Sequence, residues 1–342
     1  MIGVDIGTSS VKVLQLSRAG SSYRVEHVAV EPLPEGAYAE HSINKIDEVG
    51  EALKAAVKRS GTKAKHCAIA VSGSAVITKI INLPSDLGED EIEGQIEIEA
   101  GQYIPYPRDE VSLDFEVLGK SGRNADLVEI LLAASKTEYV DARQAVAEMA
   151  GLTARVVDVE AFAIANAFEL VRKREAIDDS SVIAVLDIGD VRSSLNVLRG
   201  GRSIYYRDHP FGGRDLREET MRRYGLDEEQ SQFWKRGEEP PAGFDDEVLE
   251  PYRQNIIQQI GRALQFFSSS RDYASIGTLY LAGGGAAVEG LAEAVSGELG
   301  MNAEIADPLK NLKLAPRISA GALESIRPSL VTATGLALRG VQ

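Results

Sequence analysis

The sequence predicts an α/β protein built from two related halves, and three observations predict it. Residues 2–16 read as an apolar run, the turn Asp5-Ile6-Gly7-Thr8-Ser9-Ser10, and a second apolar run. Residues 182–198 repeat that register around Asp187-Ile188-Gly189, closing on Ser193-Ser194, with the two aspartates 182 positions apart (187 − 5). Residues 278–286 run from an apolar strand into Gly283-Gly284-Gly285, and residues 288–299 continue at helical spacing.

Each hairpin turn has the same chemistry. Gly7 and Gly189 let the backbone come close to whatever lies over the turn. Backbone amides with the hydroxyls of Thr8, Ser9 and Ser10 suit phosphate oxygens. Asp5, at the end of the first strand, suits a hydrated divalent cation beside them. Between the hairpins, residues 23–30 extend the first sheet. Residues 45–58 form a helix whose apolar face is Ile46, Val49, Leu53, Ala56 and Val57. Residues 67–71 and 75–83 are strands, the second ended by Pro84.

The composition then shifts. Glu89, Asp90, Glu91, Glu93, Glu97 and Glu99, with Ile92, Ile96 and Tyr103 on one side, predict an acidic amphipathic helix. Pro105 and Pro107 bracket a tyrosine turn. Residues 111–118 and 127–134 read as strands, and Ser135-Lys136-Thr137-Glu138 as a capping box opening a helix to about Ala150. Residues 84–150 are therefore expected to be a compact insert. In the second half, Phe211-Gly212-Gly213-Arg214-Asp215-Leu216 starts a helix that stops at Gly225, and a short helical stretch spans 227–236. A proline loop at 237–243 precedes a long helix over 245–273 carrying Val248, Tyr252, Ile256, Ile260, Leu264 and Phe267.

Composition excludes several classes. The net charge of −15 and pI near 4.9 repel phosphate backbones, so no nucleic-acid partner is expected. A single Cys67 in an apolar strand reads as a buried hydrophobe, with no disulfide possible within the chain. The four histidines lack ligand spacing, so no zinc site is expected. No signal peptide and no apolar run near the roughly 18 residues of a spanning helix are present, so a cytoplasmic protein without direct membrane insertion is expected.

The ordered set of two hairpins and a glycine turn resembles the actin-like ATPase superfamily. The resemblance implies two ribonuclease-H-like half-domains with a nucleotide cleft between them. It divides the chain into a first core (1–83, 151–181 and 329–342), an inserted subdomain (84–150), a second core (182–212 and 275–328) and a second subdomain (213–274). An insert directly after the first half-sheet is similar to the displaced subdomain of FtsA-type and PilM-type proteins. Ile80-Ile81-Asn82-Leu83-Pro84, the Glu-rich helix and Tyr103-Ile104-Pro105-Tyr106-Pro107 resemble the PilM family of type IV pilus assembly proteins. So do residues 157–168 and 329–338, which have the pattern of the family's two connecting helices.

That resemblance implies Mg-ATP or Mg-ADP as ligand. Gly7, Thr8, Ser9, Ser10 and Lys12 would bind phosphates from one side, and Gly189, Ser193, Ser194 and Gly213 from the other. Asp5 and Asp187 would surround magnesium, Gly283, Gly284 and Gly285 would lie under the adenosine, and Gln232 and Lys235 would approach ribose or adenine. Asp187 and Glu160 are the candidates for positioning an attacking water. Two departures from the family pattern make efficient turnover doubtful. The second turn carries Asp190-Val191-Arg192, where Asp190 adds negative charge and Arg192 compensates it or clamps a phosphate. Gln232 stands where relatives place a glutamate. The implied function is a scaffold at the inner face of the cytoplasmic membrane, supporting twitching motility. It would hold the N-terminal cytoplasmic tail of a PilN-type protein in a groove lined by residues near 75–107, alongside other pilus motor or platform proteins. The alternatives are an FtsA-like division protein, disfavoured because the sequence stops after the second connecting helix, and a small-molecule kinase, for which no substrate motif is seen.

Overall fold

A computed structural model describes residues 1–39, 41–122, 124, 126–233, 238–270 and 275–341, with the backbone alone at 89, 232 and 270. The chain opens with β1 (Ile2–Ile6), β2 (Ser10–Ala19), β3 (Ser22–Pro32), β4 (Tyr38–Ala39), β5 (Ser42–Ile43), α1 (Ile46–Ser60) and β6 (His66–Val71). The next stretch holds β7 (Val76–Pro84), α2 (Glu89–Tyr103), β8 (Val111–Lys120), β9 (Leu127–Lys136) and α3 (Thr137–Met149). Then come β10 (Thr153–Val159), α4 (Glu160–Glu175), β11 (Val182–Ile188), β12 (Ser193–Arg199), β13 (Arg202–His209), α5 (Gly213–Tyr224) and α6 (Glu250–Ser270). The last stretch carries β14 (Thr278–Ala282), α7 (Leu291–Leu299), β15 (Asn302–Ile305), β16 (Lys313–Leu314), α8 (Ala320–Glu324) and α9 (Val331–Leu338).

The duplication is visible in the topology. The first sheet runs β10-β6-β1-β2-β3-β16 and the second β13-β12-β11-β14-β15. Both are an antiparallel meander with two parallel strands added beside its first strand. The first sheet buries Val4, Val13 and Ile69 against Val49 and Leu53 of α1 and Val146 of α3. The second buries Leu186 and Ile188 against Tyr252, Ile256 and Ile260 of α6 and Val295 of α7. Cys67 lies in the first core with its thiol pushed up to about 12 by burial.

α4 and α9 pack on each other beneath the sheets. All eight residues of α9 are buried because it meets β1 on one side and α4 on another. The approach needs glycine. A Cβ on Gly335 would run into the Ala163 carbonyl of α4, and one on Gly3 into the backbone of Ala333 and Ala337. Asn166 Nδ2 donates to the Gly335 carbonyl at 2.8 Å and fixes the crossing.

Four local expectations change. β7 was expected in the first core, but it pairs with β9 in a three-stranded sheet, β7-β9-β8, so that sheet begins at Val76 and not after Pro84. β16, from a stretch expected in the second core, pairs with β3 of the first sheet. Ser135 caps no helix. β9 continues through it to Lys136, α3 has no side-chain cap, and Ser135 Oγ donates to the Ala75 carbonyl. The reciprocal contact of a capping box appears at α2, where Glu91 accepts from the Gly88 amide at 2.9 Å. Residues 157–159 end β10, so the first connecting helix starts at Glu160. On α2, Ile92 and Ile96 are buried as expected, while Tyr103 is exposed with Lys79 Nζ over its ring.

Candidate functional site

The two hairpin turns are built alike. Gly7 donates to the Ser10 carbonyl and Gly189 to the Arg192 carbonyl, each at 3.0 Å, so both glycine amides close the turns. The Thr8 and Ser9 amides have no protein acceptor among the described residues and are open to an anion. In register, Asp5 sits opposite Lys12 and Asp187 opposite Ser194. Lys12 and Ser194 are thus equivalent positions of the two repeats. By the same two-residue period, Ser193 matches buried Val11. Ser193 is fully buried and its Oγ donates to the Phe211 carbonyl at 2.8 Å, so it braces the turn from within and Ser194 takes the outward face.

Charges from both halves meet between the turns. Lys12 Nζ binds Asp5 at 2.8 Å. Burial pulls its ammonium down, but Asp5, with Asp187 and Glu160, lifts it above the ordinary lysine value. Asp187 is pushed up to about 7 by burial, with Asp5 and Glu160 adding repulsion and Lys12 and Arg192 opposing it. Glu160, the first residue of α4, is raised chiefly by burial, against the pull of Arg192. Three carboxylates share this space with two cations, an arrangement that a further cation would relieve. Among the described residues no three potential ligands lie close enough to hold a metal directly. Asp5 and Asp187 could meet a divalent cation through water rather than as direct ligands.

The triple glycine packs under the end of β11. A Cβ on Gly283 would strike the Asp187 carboxylate and the Ile188 carbonyl, and one on Gly285 the Ile188 side chain. Both glycines are explained by this contact alone. Gly284 is exposed, with open space where its Cβ would be. Gly213 begins α5 and its amide donates to the Gly189 carbonyl at 2.9 Å, tying that helix to the second turn. The Gln232 backbone lies in a short 3-10 turn, and Lys235 lies outside the described residues.

The unusual second turn has partners that sequence reasoning missed. Asp190 is held by Arg217 at 2.6 Å and faces Arg214 at 3.5 Å, so its charge is neutralised from α5. Arg192 turns toward Glu160 (3.5 Å), Asp208 (3.8 Å) and His41 (3.3 Å). Tyr206 donates to Glu160 at 3.3 Å, and burial beside Glu160 and Asp208 raises its phenol well above the ordinary value. Arg143 of α3, almost wholly buried, donates to the Ala70 and Tyr139 carbonyls and the Tyr38 hydroxyl. The one available sequence signal was Arg214 and Arg217, a turn apart directly after Gly212-Gly213.

Two duplicated sheets, with facing Asp-Gly turns and two connecting helices between them, define an actin-like ATPase fold. Ethanolamine utilization protein EutJ from Carboxydothermus hydrogenoformans superposes with a TM-score of 0.56 at 16% identity, over 98% of this chain and 88% of that one. MreB 5 of Spiroplasma citri, solved with AMPPNP, gives 0.51 at 11% identity over 98% and 94%. The family model of the type IV pilus assembly protein PilM matches residues 3–341, and the chain belongs to that family. A chain solved in a PilM–PilN type IV pilus biogenesis complex matches it with a TM-score of 0.81 and 30% identity, over 100% of this chain and 98% of that one.

Proposed function

We propose that this protein is a nucleotide-binding scaffold of type IV pilus assembly that holds the N-terminal cytoplasmic tail of a PilN-type inner-membrane protein and is thereby recruited to the membrane's inner face. The observation that carries the nucleotide half is the meeting of Asp5, Lys12 and Asp187 from two duplicated turns, with Gly284 open beside them. Thr8, Ser9, Ser10 and Lys12 would hold phosphates from one side and Ser194 and the Gly189 turn from the other. Asp5 and Asp187 would meet magnesium through water, and Gln232 and Lys235 would lie toward the sugar and base. Magnesium supplies charge neutralisation of the phosphates. The chain supplies amides, hydroxyls and one ammonium. Glu160 would orient an attacking water, but its carboxylate is engaged by Arg192 and Tyr206, which favours binding with slow turnover. Support for the partner half is the likeness to the chain of the PilM–PilN complex. Exposed Ile80, Tyr103 and Tyr106 offer apolar anchors in the expected groove. Nucleotide would act by favouring one arrangement of the two halves.

Calorimetric titration with Mg-ATP, repeated with a synthetic peptide of the PilN-type tail, tests both halves. Saturable binding of each ligand is expected, with ATP recovered largely intact. Absence of nucleotide binding would leave a tail-binding module on an ATPase fold.

A further inference from the structure

We infer that Arg192 and Asp208 form a latch between the two halves of the chain, and that this latch sets the rate at which bound nucleotide leaves. The inference rests on the nucleotide reading above and adds its control. Arg192 follows the second turn and Asp208 lies on β13, both in the second half. Apart from their own 3.8 Å pair, what they grip lies in the first. Arg192 reaches Glu160 and His41 and lies over the Tyr38 ring with its guanidinium carbon 5.7 Å from the centroid. Asp208 accepts a short hydrogen bond from Ser74 Oγ, and Ser74 also meets His41 at 3.4 Å. The fit is tight, since a Cβ on Gly73 would come within 2.6 Å of the Tyr206 ring. Arg214 faces Glu35 at 3.8 Å on the same side.

The contact is poised to open. Two of the Arg192 ion pairs are long, at 3.5 and 3.8 Å. Asp208 Oδ1 is buried with no hydrogen-bond partner among the described residues. An unmade hydrogen bond in a buried site raises the free energy of the closed arrangement relative to an open, hydrated one. Arg192 also stands two residues before Ser194, so a polyphosphate at the turn and the carboxylates of Glu160 and Asp208 compete for one guanidinium.

The test is stopped-flow release of the Mg complex of a fluorescent N-methylanthraniloyl ATP from the full chain and from Ser74→Ala, Asp208→Asn and the double variant. Neither residue is assigned to nucleotide binding. Release is expected to quicken roughly tenfold in each single variant, the scale of one charge-assisted hydrogen bond, with the double variant no faster than the singles. Unchanged release, or effects that add in the double variant, overturns the latch. If the wild-type chain binds no nucleotide, the nucleotide reading fails by itself. The latch is then read from amide exchange of residues 72–75 in the nucleotide-free protein, where faster exchange in Asp208→Asn supports a mechanical latch and equal exchange overturns it.

Discussion

Asp187 concentrates the chemistry of the site in one side chain. Its carboxyl is raised from the ordinary range to about 7 by burial and by its acidic neighbours. A raised carboxyl favours the folded state at low pH, and the contribution is lost as pH rises from about 4 through about 7. The nucleotide-free protein should therefore lose stability across that window. Asp187→Asn should flatten the profile and stabilise the free protein at pH 8 by up to about 4 kcal/mol, while abolishing the magnesium dependence of nucleotide binding. Thermal melts at pH 5 and pH 8, with and without Mg-ATP, check both statements. Arg143 is the opposite case, a buried cation satisfied by two carbonyls and a tyrosine hydroxyl. Arg143→Ala leaves those acceptors unpaired and should cost about 3 kcal/mol in urea unfolding.

Helix contacts carry the next level. The α4–α9 crossing has no room for one methyl group at Gly335. Gly335→Ala should cost about 3 kcal/mol by overpacking and lower the melting temperature by roughly 4 °C, measured by calorimetry. At α2 the consequence is smaller and local. Glu91→Ala removes the carboxylate that accepts from the Gly88 amide. It should cost about 1 kcal/mol and leave nucleotide affinity unchanged, since α2 lies in the other sheet's subdomain. Much of this level was legible beforehand. The hairpins, α1, α5 and the buried face of α2 follow from apolar spacing and turn residues. An apolar strand carries no label for the sheet it joins, so β7 reads as part of the first core, and a capping pattern within a strand, as at Ser135, has no helix end to cap.

For the molecule as a whole, two sheets of equivalent strand order each carry one of two similar turns, and charged groups of the two turns interact. A ligand bridging them stabilises both halves together. Saturating Mg-ATP at a hundred times its Kd should add about 2.7 kcal/mol to global stability, and Asp187→Asn should make whatever gain remains independent of magnesium, as read by thermal shift. The sequence by itself determined the duplication, the residue types at both turns, the triple-glycine turn and the family resemblance. Those depend on short-range rules of period, turn chemistry and backbone freedom, which act within a dozen residues. Only the tertiary structure decided that Asp190 is neutralised by Arg217, that Arg192 reaches Glu160 and Asp208, and that Arg143 is buried against Tyr38. A charge settles on whichever partner the packed chain brings within reach, and Tyr38 and Arg143 are 105 residues apart. Residue spacing does not encode that proximity. The packing of β4 and α3 into one core does.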